Sequence, residues 1–175
     1  MRWPMRYCPD CGAELERAAS AHHVSCDRCG ADHWLNAKPC TGVLIEREGK
    51  LLLARRAIEP SKDLWNVIGG FVEADEHPAA AAHREVREET GLTIQLGPLL
   101  GMHLDVYGVD SGIRTLNIYY LARAAAGDPR PADDVSELRW FDADALPAHM
   151  AFAHEPRLLA DWRRERARLW AAADA

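Results

Sequence analysis

The feature that most constrains this sequence is a cluster of three glutamates in one helix-like segment. Glu85, Glu88 and Glu89 stand at positions i, i+3 and i+4, which places their carboxylates on one face of an α-helix. A proline suited to the first helical turn and a glycine suited to the position after the last turn predict a helix over Pro78–Thr90. Three like charges this close destabilise a helix unless something compensates them. The cluster therefore favours a site for a hard cation such as Mg²⁺, and a solvated charged face is the alternative.

A strand that ends in glycines precedes this helix. The run Ile68-Gly69-Gly70 allows a ligand to approach the backbone closely, because glycine has no side chain. A main-chain carbonyl in this run can join the carboxylates as a cation ligand. The two features together strengthen the prediction of a metal site.

The rest of the middle of the chain alternates strand-like and helix-like segments. The predicted strands are Thr41–Glu46, Lys50–Arg55, Thr93–Leu96, Leu99–Tyr107, Thr115–Arg123 and Glu137–Asp142. A second helix is predicted over Pro156–Ala171, and its apolar face consists of Leu158, Leu159, Trp162, Leu169 and Trp170. Mixed strands and helices in one unit predict an α/β (α+β) fold.

Two C-x-x-C-G units stand in the first 36 residues. They contain Cys8, Cys11, Cys26 and Cys29. Four sulfurs from two tight turns suit a closed tetrahedral Zn²⁺ site, and two disulfides are the alternative. A segment with so few large apolar residues depends on a metal to fold. We therefore predict a zinc ribbon over residues 1–36, followed by a second domain over residues 37–175.

Four other metal-binding side chains lie near these cysteines. His22, His23 and His33 are interpreted as solvated side chains, because the four cysteines already complete a zinc site. Cys40 has no partner at metal-binding spacing and precedes an apolar strand. It is predicted to be a small buried core residue, with a reactive thiol as the alternative.

Composition limits the kind of partner. The chain has 175 residues and a net charge of −6, and its acidic side chains are concentrated in the middle. An acidic middle repels polyanions, which argues against a nucleic-acid partner. No apolar run approaches a membrane span, and the N-terminus lacks the apolar core of a signal peptide. We therefore expect a cytoplasmic protein with no membrane partner, in which cysteine clusters bind metal.

At this point the sequence resembles a known family. Every fixed position of the Nudix box is matched by Gly70, five residues, Glu76, seven residues and then Arg84-Glu85-Val86-Arg87-Glu88-Glu89-Thr90-Gly91-Leu92. The flanking hairpin and the later Trp140-Phe141 strand also look like the Nudix domain. The resemblance covers about residues 37–148.

The resemblance implies a mixed sheet sandwiched between helices and a loop–helix–loop site that binds Mg²⁺ or Mn²⁺. It implies hydrolysis of substrates in which a nucleoside diphosphate is linked to another group. Carried over to this sequence, the Mg²⁺ ligands are the Gly69 carbonyl, Glu85, Glu88 and Glu89. Glu85 or Glu89 would help to deprotonate the attacking water. Arg84 and Glu76 would brace the box.

Many members of the family take a further carboxylate from a later loop. Here Asp133, Asp134 and Glu137 stand just before the Leu138–Phe141 part of the last predicted strand. Glu137 is our candidate for this catalytic role, and a solvated acidic turn is the alternative.

The substrate is less well defined. A zinc ribbon before a Nudix box resembles the NADH pyrophosphatases and the ADP-ribose pyrophosphatase-like group, but Leu99–Gly112 lacks the signature of the NADH enzymes. A nucleotide base needs a stacking ring, and the predicted contacts are Phe71 and Tyr107, with Trp65 and Phe152 as further candidates. Arg56 and Arg114 are the predicted phosphate contacts, beside Arg55. Each of these rings is alternatively a core residue.

Two other functions remain open at this stage. Some Nudix domains sense a nucleotide without cutting it, and others act on a nucleotide cap of RNA. The complete set of glutamates argues against a site without activity, and the lack of a basic stripe argues against a nucleic-acid reader. The resemblance also favours a homodimer.

Overall fold

The chain divides into two compact units, Met1–Ala37 and Lys38–Ala175. The computed structural model describes residues 5–15, 22–108 and 112–175. In the first unit, strands β1 (His23–Ser25) and β2 (Asp32–Trp34) form an antiparallel pair. Because these strands are short, little of this unit is held by a sheet.

The second unit contains the longer elements. Its strands are β3 (Lys38–Arg47), β4 (Lys50–Arg56), β5 (Trp65–Asn66), β6 (Ile68–Phe71), β7 (Ile94–Val106), β8 (Arg114–Ala124) and β9 (Val135–Asp142). Its helices are α1 (Pro78–Thr90) and α2 (Glu155–Ala173).

Among the described residues of this unit, seven strands form one mixed sheet. The main path runs β5-β4-β3-β8-β7, with β6 paired to β3 and β9 paired to β4. Strands β3 and β8 run parallel, and the other pairs are antiparallel. Because β3 is long, it pairs with β4 near its end and with β6 near its start.

Alternate residues of the central strands face two separate cores. Val43 and Ile45 pack in a cluster that includes Val86 of α1. Leu44, between them, packs in a cluster that includes Trp162 of α2. This alternation is expected of a strand buried on both faces. The predicted fold, a mixed sheet between helices, is confirmed.

The two predicted helices are present. Helix α1 has the predicted bounds: Pro78 lies in its first turn, and Gly91 follows its end with a φ of 68°. This left-handed conformation costs glycine little, and the Gly91 N–H satisfies the Arg87 carbonyl. Helix α2 begins one residue earlier than predicted, at Glu155.

One strand prediction was wrong. The separate strands predicted over Thr93–Leu96 and Leu99–Tyr107 are a single strand, β7. Its pairing with β8 is irregular between Leu96 and Gly101, which accommodates Gly97 and Pro98. Proline is tolerated there because β7 lies at the end of the strand order.

No helix in the part of the chain that the structure describes is long and apolar enough to cross a membrane.

Candidate active site

A cavity of about 370 Å³ lies at one end of the sheet. Strands β3 and β8 contribute residues near their starts, and β4, β6 and β7 contribute residues at their ends. Helix α1 and the residues around the start of α2 complete the lining. Strand ends and loops that meet in this way are a common setting for a ligand site.

Two of the predicted metal ligands lie buried in this cavity. Glu85 is 9% exposed and Glu89 is 4% exposed, and both line the cavity. The Oε2 atom of Glu89 is buried without a hydrogen-bond partner within the described residues. Burial raises the pKa of Glu85, and burial together with the charge of Asp134 raises the pKa of Glu89 well above its ordinary value. Buried carboxylates without a cation are therefore unfavourable here.

Arg84 joins three glutamates of the box. It donates to Glu76 at 2.9 and 3.0 Å, to Glu85 Oε1 at 2.7 Å and to Glu88 Oε2 at 3.0 Å. It also donates to the Phe71 carbonyl at 3.1 Å. The hydrogen bonds from Arg84 are the main cause of the lowered pKa of Glu76. These contacts are those expected of a bracing residue.

Glu88 differs from the other two glutamates of the cluster. Its side chain is 46% exposed, and its carboxylate is held by Arg84 rather than lining the cavity. The geometry therefore brings Glu85 and Glu89 together in the cavity and leaves Glu88 at its border.

The glycines before α1 allow the backbone to reach the carboxylates. A Cβ added at Gly70 would lie 2.5 Å from Glu85 Oε1, so a larger residue there would displace the Glu85 carboxylate. Gly69 also lines the cavity, and its φ of 148° is one that other residues rarely adopt. An oxygen-only donor set with an unpartnered buried carboxylate oxygen fits a divalent cation such as Mg²⁺.

The loop before β9 places its carboxylates in two environments. Asp133 and Asp134 line the cavity. Glu137 does not line it: this residue lies within β9 opposite Arg55 and forms ion pairs with Arg55 and Arg139. The start of β9 at Val135, rather than at the predicted Glu137, accounts for the difference. Knowledge of that earlier start would have pointed to the aspartates.

Most of the predicted substrate contacts surround the cavity. Arg56 is 6% exposed, and its Nη2 is buried without a partner within the described residues. Its guanidinium lies 5.3 Å from the centre of the Phe152 ring. Tyr107 stacks on Phe152 at 5.9 Å and meets Phe71 edge-on at 5.4 Å. These residues form one aromatic and cationic surface of the cavity.

The other candidates lie elsewhere. Arg114 is the exposed first residue of β8 and does not line the cavity. Trp65 packs edge-on against Phe141, within the core beside α2. Cys40 is buried, as predicted, and lines the cavity; burial raises the pKa of its thiol to about 12.

A second wall of the cavity escaped the sequence analysis. Asp105 of β7, Tyr119 of β8 and His154 before α2 all line the cavity and are connected by hydrogen bonds. The buried Glu155 follows and accepts hydrogen bonds from the backbone of Val67 and Phe152. Residues this far apart in sequence give no local signal, and they meet only through the pairing of β7 with β8 and the position of α2.

The four cysteines of the first unit converge. Their sulfur atoms lie within 4.8 Å of one another, with 3.7 Å between Cys8 and Cys29 and 3.6 Å between Cys11 and Cys26. Thiolates about 2.3 Å from a tetrahedral Zn²⁺ would lie about 3.8 Å apart, so the cluster fits the metal. All five cysteines of the chain are free thiols, so the alternative of two disulfides is wrong.

The histidines near the cysteines are less exposed to water than expected. Nε2 of His33 lies 3.3 Å from Cys8 Sγ, so its interpretation as a solvated side chain was wrong. His23 stacks on Trp34 and contacts Asp32. Only His22 lies at the surface as predicted. The pairing of β1 with β2 brings His33 to the cysteines.

Comparison with known proteins agrees with this geometry. The chain is 31% identical over 148 residues to the NAD-capped RNA hydrolase NudC of Stutzerimonas stutzeri, covering 82% of this chain and 50% of that protein. It is 34% identical to the ADP-ribose pyrophosphatase of Methanocaldococcus jannaschii, covering 69% of this chain and 70% of that protein. The chain thus spans about half the length of the NudC relative.

A solved structure of similar fold supports the assignment. The crystal structure of a NUDIX hydrolase from Nitrosomonas europaea matches with a TM-score of 0.78 and 27% identity, covering 94% of this chain and 93% of that one. The NUDIX domain model matches residues 37–162, which is more than half of the chain. The chain therefore belongs to the Nudix hydrolase family.

Proposed function

We propose that the protein hydrolyses a diphosphate linkage in a substrate of the form nucleoside diphosphate linked to a group X, and that it requires Mg²⁺ or Mn²⁺. The observation that carries this proposal is the pair of buried carboxylates, Glu85 and Glu89, in a cavity of ligand size. Glu89 has a buried oxygen without a partner within the described residues, which a bound cation would satisfy.

Each residue has a proposed part in the reaction. Glu85, Glu89 and the Gly69 carbonyl would hold the cation, and Glu88 would support it from the border of the cavity. When bound, the cation would neutralise phosphate charge and lower the pKa of a bound water. Glu89 would accept the proton of the attacking water, because it lies in the cavity beside the proposed cation. Arg56 would offer to a phosphate oxygen its Nη2, which has no partner among the described residues.

Asp134 replaces Glu137 in our proposal for the loop carboxylate. It lines the cavity, and its negative charge contributes to the raised pKa of Glu89. Glu137 is already paired with two arginines at the surface. Its role is then to hold Arg55 and Arg139 rather than to act in the reaction.

The relatives suggest which substrates to try. One relative is named for ADP-ribose and others are named for NAD-capped RNA. Capped RNA ends are therefore added to the candidate nucleotide substrates that the sequence predicted. The earlier expectation of no nucleic-acid partner rested on overall charge, which does not exclude a single capped end in the cavity.

A substrate panel tests the proposal. The purified protein is incubated with Mg²⁺ and with ADP-ribose, NADH, NAD, FAD, dinucleoside polyphosphates, nucleoside triphosphates or NAD-capped RNA, beside a Glu89→Gln variant. We expect cleavage at a diphosphate that the variant loses. If no compound of the panel is cleaved with Mg²⁺ or Mn²⁺, the proposed hydrolase activity is refuted, and nucleotide sensing becomes the favoured function.

We also propose that Cys8, Cys11, Cys26 and Cys29 hold a structural Zn²⁺. The sulfur distances and the absence of a disulfide among the described cysteines support this. Metal analysis should find one zinc per chain, and Cys26→Ser should release it. A zinc content unchanged by that substitution would contradict the proposal.

The homodimer implied by the resemblance has support on β7. Leu99, Met102 and Leu104 are exposed on this strand, which ends the strand order of the described sheet. Exposed apolar residues on an edge strand favour association. Sedimentation should show a dimer that Leu104→Asp weakens; a monomeric wild-type protein would contradict this part of the proposal.

A further inference from the structure

The second wall of the cavity is a connected chain of three polar side chains. His154 contacts Asp105 Oδ2 through Nδ1, and its backbone N–H lies 3.2 Å from the same oxygen. On the other side of the ring, Nε2 lies 2.5 Å from the Tyr119 hydroxyl. The side chains of His154 and Asp105 are 7% and 14% exposed. Little water competes for these contacts.

The hydrogen bonds among Asp105, His154 and Tyr119 indicate which atom is the donor at each contact. Burial acts to raise the pKa of Asp105, but hydrogen bonds from His154 and the Val106 backbone outweigh it and lower the pKa. Asp105 is therefore a carboxylate, which can only accept, so Nδ1 of His154 carries the proton. In the tautomer whose single ring proton lies on Nδ1, Nε2 is an acceptor, and the Tyr119 hydroxyl donates to it. The Tyr119 oxygen is left with lone pairs and no further proton.

A second acceptor lines the same cavity independently. Asn66 is 5% exposed, and its Nδ2 donates to the Val67 carbonyl at 3.0 Å. Its Oδ1 is buried without a partner within the described residues. A buried unpaired acceptor is unfavourable unless a ligand or water donates to it. Tyr119 and Asn66 thus both offer acceptor atoms to whatever fills the cavity.

We propose that Asp105 and His154 are positioning residues that hold the Tyr119 hydroxyl as an acceptor, and that Tyr119 and Asn66 bind hydroxyl groups of X. This inference rests on the proposed function and narrows its substrate class to X groups that are sugars. A sugar hydroxyl donates readily to an acceptor oxygen. A terminal phosphate offers mainly acceptor oxygens, so a nucleoside triphosphate would leave Tyr119 and Asn66 unpaired.

The packing of Tyr119 supports a role in the site. A Cβ at Gly42 would overlap the Tyr119 ring, so the ring crosses β3 to reach His154 only because position 42 is glycine. A purely structural role would be served as well by an apolar side chain, since buried polar pairs add little net stability. Contact with a ligand explains why Asp105, His154 and Tyr119 lie at the cavity surface.

Two substrates that differ only in X test the inference. ADP-ribose carries the second sugar, whereas ADP methyl ester keeps the same diphosphate and lacks those hydroxyls. In the wild-type protein we expect a higher kcat/KM for ADP-ribose. Tyr119→Phe and Asp105→Asn should lower kcat/KM for ADP-ribose about tenfold, mainly through KM, and change that for ADP methyl ester less than about twofold.

Tyr120→Phe is the matched control. Tyr120 is the next residue of β8, packs against the core beside α1 and does not line the cavity. This variant should leave both substrates unchanged. Melting temperatures close to that of the wild-type protein show that Tyr119→Phe and Asp105→Asn are folded. An equal loss on both substrates, or no loss on either, would overturn the inference.

Calorimetry separates this inference from the proposed function. The two ligands are titrated into wild-type protein and Tyr119→Phe in buffer without Mg²⁺ or Mn²⁺, so nothing is cleaved. We expect a preference for ADP-ribose that Tyr119→Phe removes, and its absence from the wild-type protein overturns the inference. If the wild-type protein cleaves neither substrate, the proposed function fails, and these titrations still decide whether Tyr119 reads the sugar.

Discussion

Two glutamates of this protein are similarly buried but differ in how fully their carboxyl oxygens are hydrogen-bonded. Glu89 of α1 and Glu155 of α2 are both almost fully buried, and burial raises the pKa of each. Glu155 accepts hydrogen bonds from the backbone N–H groups of Val67 at 2.7 Å and Phe152 at 3.0 Å. Glu89 has one oxygen without a partner within the described residues.

The difference separates a structural carboxyl group from a functional one. A buried carboxyl group that satisfies two backbone donors stabilises the fold around it. A buried carboxylate with an empty acceptor is destabilising until a cation binds. The start of α2 is therefore held by Glu155, whereas the α1 site is prepared for a ligand at some cost in stability.

The largest expected effect is that of Glu89→Gln on activity. The substitution removes the charge that holds the cation and accepts a proton, so kcat/KM should fall by about 10³-fold. The melting temperature without Mg²⁺ should not fall, because a buried carboxyl group that lacks its cation is removed. Steady-state kinetics and calorimetry check the two parts. If Glu89→Gln is active, or if it melts well below the wild-type protein, Glu89 is not the functional carboxyl group that the contrast with Glu155 requires.

Glu155→Leu should have the next largest effect, and on stability. It leaves the N–H groups of Val67 and Phe152 without an acceptor, at about 1–3 kcal/mol each. The melting temperature should fall by about 5–15 °C. Glu155→Gln, which keeps an acceptor oxygen, is the control and should melt between the two. An unchanged melting temperature in Glu155→Leu would show that these hydrogen bonds are not what holds the start of α2.

The two carboxylates of the loop before β9 sharpen the comparison. Asp134→Asn should lower kcat/KM by about 10–100-fold, because Asp134 lines the cavity near Glu89. Glu137→Gln should change it less than about twofold, since exposed ion pairs contribute little. Kinetics of both variants with one substrate decide the assignment. A larger loss in Glu137→Gln would restore Glu137 to the catalytic role.

A further expected effect is a pH dependence of stability due to Glu155. Burial raises its pKa from 4.5 to about 8. The folded state thus binds the proton more tightly, so this contribution to stability is complete below pH 4.5 and is lost as the pH rises through about 8. Denaturant titrations without Mg²⁺ should show a falling free energy of unfolding across this range. Glu155→Gln should reduce the slope, and an equal slope in the variant would contradict the assignment.

Local sequence rules predicted the α1 side of the molecule. The bounds of α1 follow from Pro78 and Gly91, and the three glutamates follow from helical spacing. These features involve residues a few positions apart, which is the range over which helix geometry and capping act. The metal-site candidates were therefore accessible from local spacing, whereas the bracing role of Arg84 was implied by the family resemblance.

The second wall of the cavity could not be predicted in that way. His154 is 49 residues from Asp105 and 35 residues from Tyr119, so no helical or strand period connects them. These residues meet because β7 pairs with β8 along its whole length. The sequence analysis divided β7 into two strands at Gly97 and Pro98. Long-range pairing of this kind is set by the packed sheet rather than by local propensity.

Oxygen-18 labelling tests hydrolysis at the diphosphate most directly. The protein is incubated with Mg²⁺ and ADP-ribose in H₂¹⁸O, and the products are weighed by mass spectrometry beside those of Glu89→Gln. We predict AMP and ribose 5-phosphate, with one ¹⁸O in the phosphate of one product and little product from the variant. Intact ADP-ribose after incubation with Mg²⁺ or Mn²⁺, or products formed equally by the variant, would contradict hydrolysis by water at the Glu85 and Glu89 site.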